Sequence, residues 1–115
     1  MKTSYWKLQK SSDNKDVMQQ AAELIRAGEV VAFPTETVYG LGADGLNPEA
    51  VGKIFAAKGR PNDNPLILHI AKKEDIAQLT TGLNANAKKL MEHFWPGPLT
   101  LIVNKSAIVP DAVSA

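Results

Sequence analysis

Apolar side chains recur at helical spacing in three stretches of the chain. One set lies on a single face of a helix predicted over residues 14–27: Val17, Ala21, Leu24 and Ile25. A second set follows Asn47 and Pro48, which are typical of a helix start: Val51, Ile54 and Phe55. The third set follows Asn84, another residue typical of N-caps: Ala87, Leu90, Met91 and Phe94. All three sets are expected to point inward, and residues 74–79 predict a further short helix whose acids Glu74 and Asp75 form a solvated start.

Three apolar runs lack helical spacing and predict strands: residues 30–33, 66–70 and 99–103. The first two are expected to be buried, with both faces covered. Residues 4–8 are a weaker strand candidate, and residues 34–47 read as a loop. Strands and helices alternate, which predicts the α/β class. Residues 108–115 have a loop-like sequence without a terminal helix or strand, so we expect residues 1–115 to form one incomplete domain, truncated at its C-terminal side.

Composition narrows the function classes. The 115 residues are 44% hydrophobic and 22% charged, which is typical of a globular domain. A formal net charge of +1 argues against a strongly basic surface that coats nucleic acid. The chain has no cysteine, which excludes disulfides and thiolate metal sites. It shows neither a signal peptide nor an apolar run near the roughly 20 residues that span a bilayer, so we expect a cytoplasmic protein without membrane association.

Residues 40–45 match the pattern G-x-G-x-x-G, but their context argues against a dinucleotide site. That fingerprint requires its first glycine at the end of a strand and a helix that opens within the motif. Here six residues separate Phe33 from Gly40, and the helix is expected near Pro48. The match is therefore interpreted as turn sequence.

Polar residues after the first predicted strand form the first candidate site: Thr35, Glu36, Thr37 and Tyr39. Hydroxyls and a carboxylate in such a loop can bind an amine, a hydroxyl or a hydrated metal ion. They can equally form a turn network that satisfies the loop's own backbone. Local chemistry leaves both interpretations open.

Two cations and an amide form the second candidate site: Lys58, Arg60 and Asn64. Held between prolines, they can bind phosphate groups. Taken alone, local chemistry favours a structural role, because a lysine in the last helical turn complements the helix dipole. His69 is the third candidate, and a single histidine in a strand is more often structural than catalytic.

Taken together, these stretches resemble the YrdC-like family. The resemblance covers about residues 16–103 and rests on four motifs in the family's order and spacing: Phe33-Pro34-Thr35-Glu36-Thr37-Val38-Tyr39-Gly40-Leu41, Lys58-Gly59-Arg60-Pro61 with Asn64-Pro65-Leu66, His69, and Trp95-Pro96-Gly97-Pro98-Leu99-Thr100. It implies a twisted, mixed open sheet with helices packed on it and a concave basin.

The resemblance also implies a reaction. L-threonine, bicarbonate or CO2, and ATP with Mg²⁺ give threonylcarbamoyl-adenylate and pyrophosphate. A partner enzyme then transfers the threonylcarbamoyl group to an adenosine beside the anticodon of tRNA. By resemblance, Thr37 and His69 contact threonine, and the loop with Thr35, Glu36 and Tyr39 shapes its pocket. Arg60 and Asn64 contact ATP, and Lys58 lies beside the triphosphate and the forming carbamate. Lys58 and Arg60 are thus the expected catalytic residues, and no protein metal ligand is expected.

One departure from the family qualifies these implications. Family members continue with a further strand and a Ser-x-Asn segment that complete the site, and neither is present here, so the resemblance implies roughly half a site. Two alternatives remain: an RNA-binding module of the same fold, to which the charge of +1 and the 6% aromatic content give little support, and a carbamoyl-transfer domain of hydrogenase maturation.

Overall fold

The computed structural model describes residues 2–9, 13–59 and 65–114. In chain order the elements are α1 (Lys15–Arg26), β1 (Val31–Phe33), β2 (Gly40–Gly42), α2 (Pro48–Lys58), a 3-10 turn (Lys73–Asp75) that leads into α3 (Ile76–Leu79), α4 (Ala85–Phe94) and α5 (Asp111–Ser114). The structure is mixed α/β, as the sequence predicts. None of the helices among the described residues is long and apolar enough to cross a membrane.

Helix α2 follows its sequence signals closely. The Asn47 side-chain oxygen accepts hydrogen bonds from the backbone N–H groups of Glu49 (3.0 Å) and Ala50 (3.3 Å). Gly59 ends the helix in the left-handed region with φ 64°, and its N–H bonds to the Phe55 carbonyl. The helix therefore starts as predicted, and Lys58 lies in its last turn as expected.

Helices α1 and α4 also form where predicted. Asn84 caps α4 by accepting from the Ala87 N–H at 2.8 Å. Asn14 precedes α1 but makes no cap bond; its side chain instead bonds to both backbone groups of Gln9. The expected inward face of α4 is only partly right: Met91 is buried, whereas Leu90 and Phe94 are exposed.

The core lies between α2 and the C-terminal residues. Val51, Phe55, Val109 and Val113 are buried together, and four partly buried side chains pack on them: Leu66, Leu68, Leu79 and Ala112. The prediction that residues 108–115 form a loop without a terminal helix is wrong, because α5 lies there. Val109, just before α5, and Val113, within it, are both buried in the core. This tertiary burial explains why so short a helix forms.

One ion pair fixes the start of α5. Lys105 Nζ donates to Asp111 Oδ1 at 2.8 Å and to the Val109 carbonyl at 3.1 Å. The hydrogen bond from Lys105, together with its positive charge, holds the pKa of Asp111 below its ordinary value. The pair joins the segment before α5 to its first turn.

The described residues contain one sheet, an antiparallel pair with Val31 opposite Gly42 and Phe33 opposite Gly40. The strand predicted over residues 30–33 is confirmed as β1, but the prediction that both its faces are buried is wrong, since Ala32 and Phe33 are exposed. Strand β2 lies where a loop was predicted. Its glycines accommodate the Phe33 ring, because a Cβ at Gly40 would approach Phe33 Cζ to 2.9 Å. This contact, rather than a dinucleotide, accounts for the glycine pair.

The strands predicted over residues 4–8, 66–70 and 99–103 are wrong: these residues belong to no strand. The first residues of the last two runs bond elsewhere: the Leu66 N–H donates to the Val113 carbonyl, and the Leu99 N–H donates to the Gly97 carbonyl. Side chains nevertheless alternate here: Ile67 and His69 are exposed, while Leu66 and Leu68 pack against the core. Burial of both faces, which was predicted for this run, is therefore wrong as well. A strand requires a neighbour with which to form a ladder, and periodicity alone cannot supply one.

Candidate active site

The loop after β1 contains the hydrogen-bonded turn that its sequence allows. The Thr35 hydroxyl donates to the Val38 carbonyl and accepts from the Thr37 N–H at 3.3 Å. The hydroxyl oxygens of Thr35 and Thr37 are 3.4 Å apart. Thr37 is exposed, and Tyr39 is 76% exposed. Thr35 therefore holds the loop, while Thr37 and Tyr39 present polar groups to solvent.

The candidate phosphate-binding residues follow α2. Lys58 is the last residue of this helix and is exposed. Gly59 turns the chain away from the helix axis directly after it. Arg60 and Asn64 lie outside the described residues, so their predicted contacts with ATP stay predictions.

His69 lines a groove of about 270 Å³. Asp44, Asp75 and Gln78 also line this groove, and the leucines at positions 46, 68 and 79 supply apolar walls. Among the described residues, the lining of this groove does not include Thr35, Thr37, Tyr39 or Lys58. His69 thus lines the groove together with two carboxylates and an amide. The loop after β1, with Thr35, Thr37 and Tyr39, is not part of the groove lining.

Close approach between two loops builds one side of the groove. A Cβ at Gly45 would collide with Leu68 Cδ2, so the absence of a side chain lets the β2–α2 loop lie against residues 68–71. Asp44 stiffens this loop, because its Oδ1 accepts from the Leu46 N–H at 3.0 Å.

The opposite side of the groove is tied to the C-terminal part of the chain. Ser106 donates from its hydroxyl to the Gln78 carbonyl at 2.6 Å and from its backbone N–H to the Leu79 carbonyl at 2.8 Å. Thr80, which is buried, donates its hydroxyl to the Asn104 carbonyl at 2.6 Å. These bonds hold α3 in place beside His69.

The groove residues Asp44, Asp75 and Gln78 were not predicted as site residues. Asp44 lies within the G-x-G-x-x-G match, and its acid at the end of a polar loop is the signal that could have marked it. Asp75 was interpreted as a solvated helix start, yet it is half-buried. Gln78 carries no sequence signal, because its position beside His69 depends on tertiary structure.

Residues 2–9, 13–59 and 65–114 add an apolar hollow to this groove. These residues contain no group of three or more His, Asp or Glu side chains placed to hold a metal ion. A second hollow of about 210 Å³ is lined by Phe94, Pro98 and Leu99 and offers apolar contact only.

Two relatives match the chain at about half identity. It is 53% identical over 117 residues to the threonylcarbamoyl-AMP synthase of Bacillus subtilis, covering 99% of this chain and 33% of the relative. It is 55% identical over 94 residues to the enzyme of the same name from Pyrococcus abyssi, covering 82% of this chain and 28% of the relative. The chain therefore spans about a third of the length of these relatives.

A solved structure extends the likeness to three dimensions. The crystal structure of P. abyssi Sua5 complexed with L-threonine matches 90% of this chain and 30% of that protein, with a TM-score of 0.84 and 50% sequence identity. The model of the Sua5/YciO/YrdC family, described as "Telomere recombination", matches residues 23–115. Since that match covers most of the chain, the protein belongs to the Sua5/YciO/YrdC family, as the four motifs indicate.

Proposed function

We propose that this chain supplies part of an L-threonylcarbamoyladenylate synthase, which converts L-threonine, bicarbonate or CO2, and ATP into threonylcarbamoyl-adenylate and pyrophosphate for tRNA modification. The observation that carries the proposal is the match to the threonine-bound Sua5 structure over 90% of this chain at 50% identity. At such identity and fold likeness, a shared ligand class is the simplest account. Because the chain spans about a third of that protein, it contributes one portion of the site.

The reaction needs positive charge where three anionic groups meet. The threonine amine attacks CO2, the carbamate oxygen attacks the α-phosphate of ATP, and pyrophosphate leaves. Fixed cations stabilise the charge that develops on the phosphoryl oxygens. Lys58 is exposed at the end of α2 and fits this role, with Arg60 and Asn64 as the proposed contacts to ATP.

Mg²⁺ is proposed to enter with ATP. Its usual ligands in such reactions include the phosphates themselves, with one or two carboxylates. Bound there, the ion would neutralise phosphate charge.

The proposed threonine contacts come from two places. Thr37 and Tyr39 are exposed on the loop after β1, and His69 lines the groove beside α3. Thr35 is proposed to shape this site through the loop, since its hydroxyl is engaged with Val38. The product would pass to a tRNA threonylcarbamoyl-transfer enzyme.

A chimera tests the function. Residues 1–115 replace the corresponding segment of the B. subtilis relative, to which 99% of the chain aligns. We expect pyrophosphate release from ATP that requires both threonine and bicarbonate. The matched control is the unaltered relative.

A folded chimera that releases no pyrophosphate in response to threonine would contradict the proposal. RNA affinity of the 115-residue chain that falls steeply with salt, without binding of ATP or threonine, would favour the RNA-binding alternative instead.

A further inference from the structure

Lys53 ties the second turn of α2 to the turn between α1 and β1. Its Nζ donates to the Gly28 carbonyl at 2.9 Å and lies 3.3 Å from Glu29 Oε1. These contacts join residues 25 and 24 positions apart in sequence, so they fix the packing of separate segments instead of the helix itself. The proposed catalytic groups of the chain do not include this lysine.

Gly28 allows the turn to lie close to α2. This residue is buried, and its φ of 86° lies in the left-handed region that favours glycine. A Cβ at this position would approach Asn47 Nδ2, at the start of α2, to 3.2 Å. A buried carbonyl that loses its donor destabilises the fold. The bond from Lys53 therefore satisfies the Gly28 carbonyl and holds the turn against the helix.

Both ends of the β1–β2 hairpin are attached to the N-terminal half of α2. The chain enters β1 at Val31, directly after the turn that Lys53 holds, and leaves β2 at Gly42 for the cap residue Asn47. Val31 lies opposite Gly42 in the strand pair, so the two attachments flank the base of the hairpin. The loop at its tip, residues 34–39, therefore takes its orientation relative to α2 from these two attachments.

The last residue of the same helix is Lys58, the cation proposed to lie beside the triphosphate. A reaction between two bound substrates requires the reacting atoms to be held about 3–3.5 Å apart, and small displacements slow it strongly. We infer that Lys53 is a positioning residue, which sets the threonine loop after β1 relative to Lys58. The inference rests on the proposed function for the identity of the ligands.

The bond to the Gly28 carbonyl is the contact through which Lys53 acts. The side chains of Lys53 and Glu29 are 47% and 54% exposed, and ion pairs this open to solvent contribute little. Lys53→Met keeps an unbranched side chain and removes the donor. Lys53→Arg keeps both a donor and the positive charge, so it is the conservative variant.

Lys105→Met is the matched control. Lys105 Nζ also contacts one carbonyl and one carboxylate, Val109 O at 3.1 Å and Asp111 Oδ1 at 2.8 Å. Its partners lie at the start of α5 and not beside the hairpin. A general loss of stability would follow from either substitution, whereas displacement of the hairpin should follow from Lys53→Met alone.

Hydrogen exchange of backbone amides, followed by NMR on the 115-residue chain, measures the positioning without any substrate. Lys53→Met should speed exchange in β1 and β2 by about 2- to 10-fold, the effect of losing one hydrogen bond, and leave α5 unchanged. Lys105→Met should speed exchange in α5 and leave the hairpin unchanged. Lys53→Arg should exchange like the wild type.

The steady-state rate of pyrophosphate release by the chimera measures the consequence for the substrates. Lys53→Met should raise the KM for threonine by about 2- to 10-fold, because the loop is no longer held in place. The KM for ATP should be unchanged, because Lys58 lies on α2 itself. Lys53→Arg should restore the KM for threonine, and Lys105→Met should leave both KM values unchanged.

Three results would overturn the inference: unchanged exchange of the hairpin in Lys53→Met, equal acceleration throughout the chain, or a wild-type KM for threonine in an active Lys53→Met chimera. The last of these would leave the proposed function standing. The proposed function fails separately if the unsubstituted chimera releases no pyrophosphate in response to threonine. Hydrogen exchange would still decide whether Lys53 positions the hairpin, because that measurement requires no substrate.

Discussion

Hydroxyl groups in the loop after β1 divide into those that hold the loop and those that face solvent. Thr35 donates to Val38 O and accepts from Thr37 N, so both functions of its hydroxyl are used within the turn. The side chains of Thr37 and Tyr39 are exposed. We therefore expect Thr37 and Tyr39 to make the direct contacts with a ligand, and Thr35 to act through the loop conformation.

A crossed pair of variants tests the division between the threonine and ATP sites. His69→Ala should weaken threonine binding and spare ATP, because His69 lines the groove at the start of α3. Arg60→Ala should weaken ATP binding by about 10-fold or more and spare threonine, since one charge-assisted hydrogen bond is worth about 1.5–3 kcal/mol. Calorimetric titration of each ligand into the chimera measures both affinities.

The unaltered chimera is the control for the crossed pair. Equal losses of both ligands in His69→Ala would show that the histidine supports the fold instead of binding substrate. An unchanged ATP affinity in Arg60→Ala would remove Arg60 from the nucleotide site.

Among the elements, α2 organises the molecule. Its cap residue Asn47 follows the loop that lines the groove, its last residue is Lys58, and its buried face carries Val51 and Phe55. Local sequence predicted this helix completely, because cap bonds and i to i+4 hydrogen bonds involve only neighbouring residues.

Asn47→Ala should lower the free energy of unfolding by about 1 kcal/mol, because its side chain accepts two backbone hydrogen bonds at the start of α2. Asn86→Ala is the matched control, since Asn86 is exposed within α4 and is not its cap residue. Urea denaturation followed by circular dichroism measures both. A loss in Asn86→Ala as large as that in Asn47→Ala would contradict the capping argument.

Taken as a whole, the molecule is more open than its length requires. Its radius of gyration is 15.5 Å, against roughly 13 Å for a compact domain of this length. Large apolar side chains face solvent, among them Val38 (73% exposed) and Ile102 (fully exposed). The stabilising apolar contacts are concentrated around α2 and α5.

Two substitutions that shorten a side chain to alanine test which residues stabilise the molecule. Val51→Ala should cost about 1–3 kcal/mol of unfolding free energy, because Val51 is 1% exposed and its loss leaves a cavity. Ile102→Ala should change stability by less than about 0.5 kcal/mol, because Ile102 is fully exposed.

Thermal and urea unfolding of the 115-residue chain measure the two truncations. A large loss in Ile102→Ala, accompanied by concentration-dependent stability, would show that Ile102 is buried between copies of the chain.

The sequence by itself determined helices α1 to α4, the α/β class, the family and the candidate residues Thr37, Lys58, Arg60 and His69. Helix caps and helical periodicity depend only on residues close together in sequence, and the order and spacing of motifs are properties of the sequence itself. Both can therefore be recognised without coordinates. Only the tertiary structure decided which strands pair, that Phe33 lies over Gly40, and that Asp44, Asp75 and Gln78 line one groove with His69. Those outcomes depend on contacts between residues far apart in sequence, which no local pattern records.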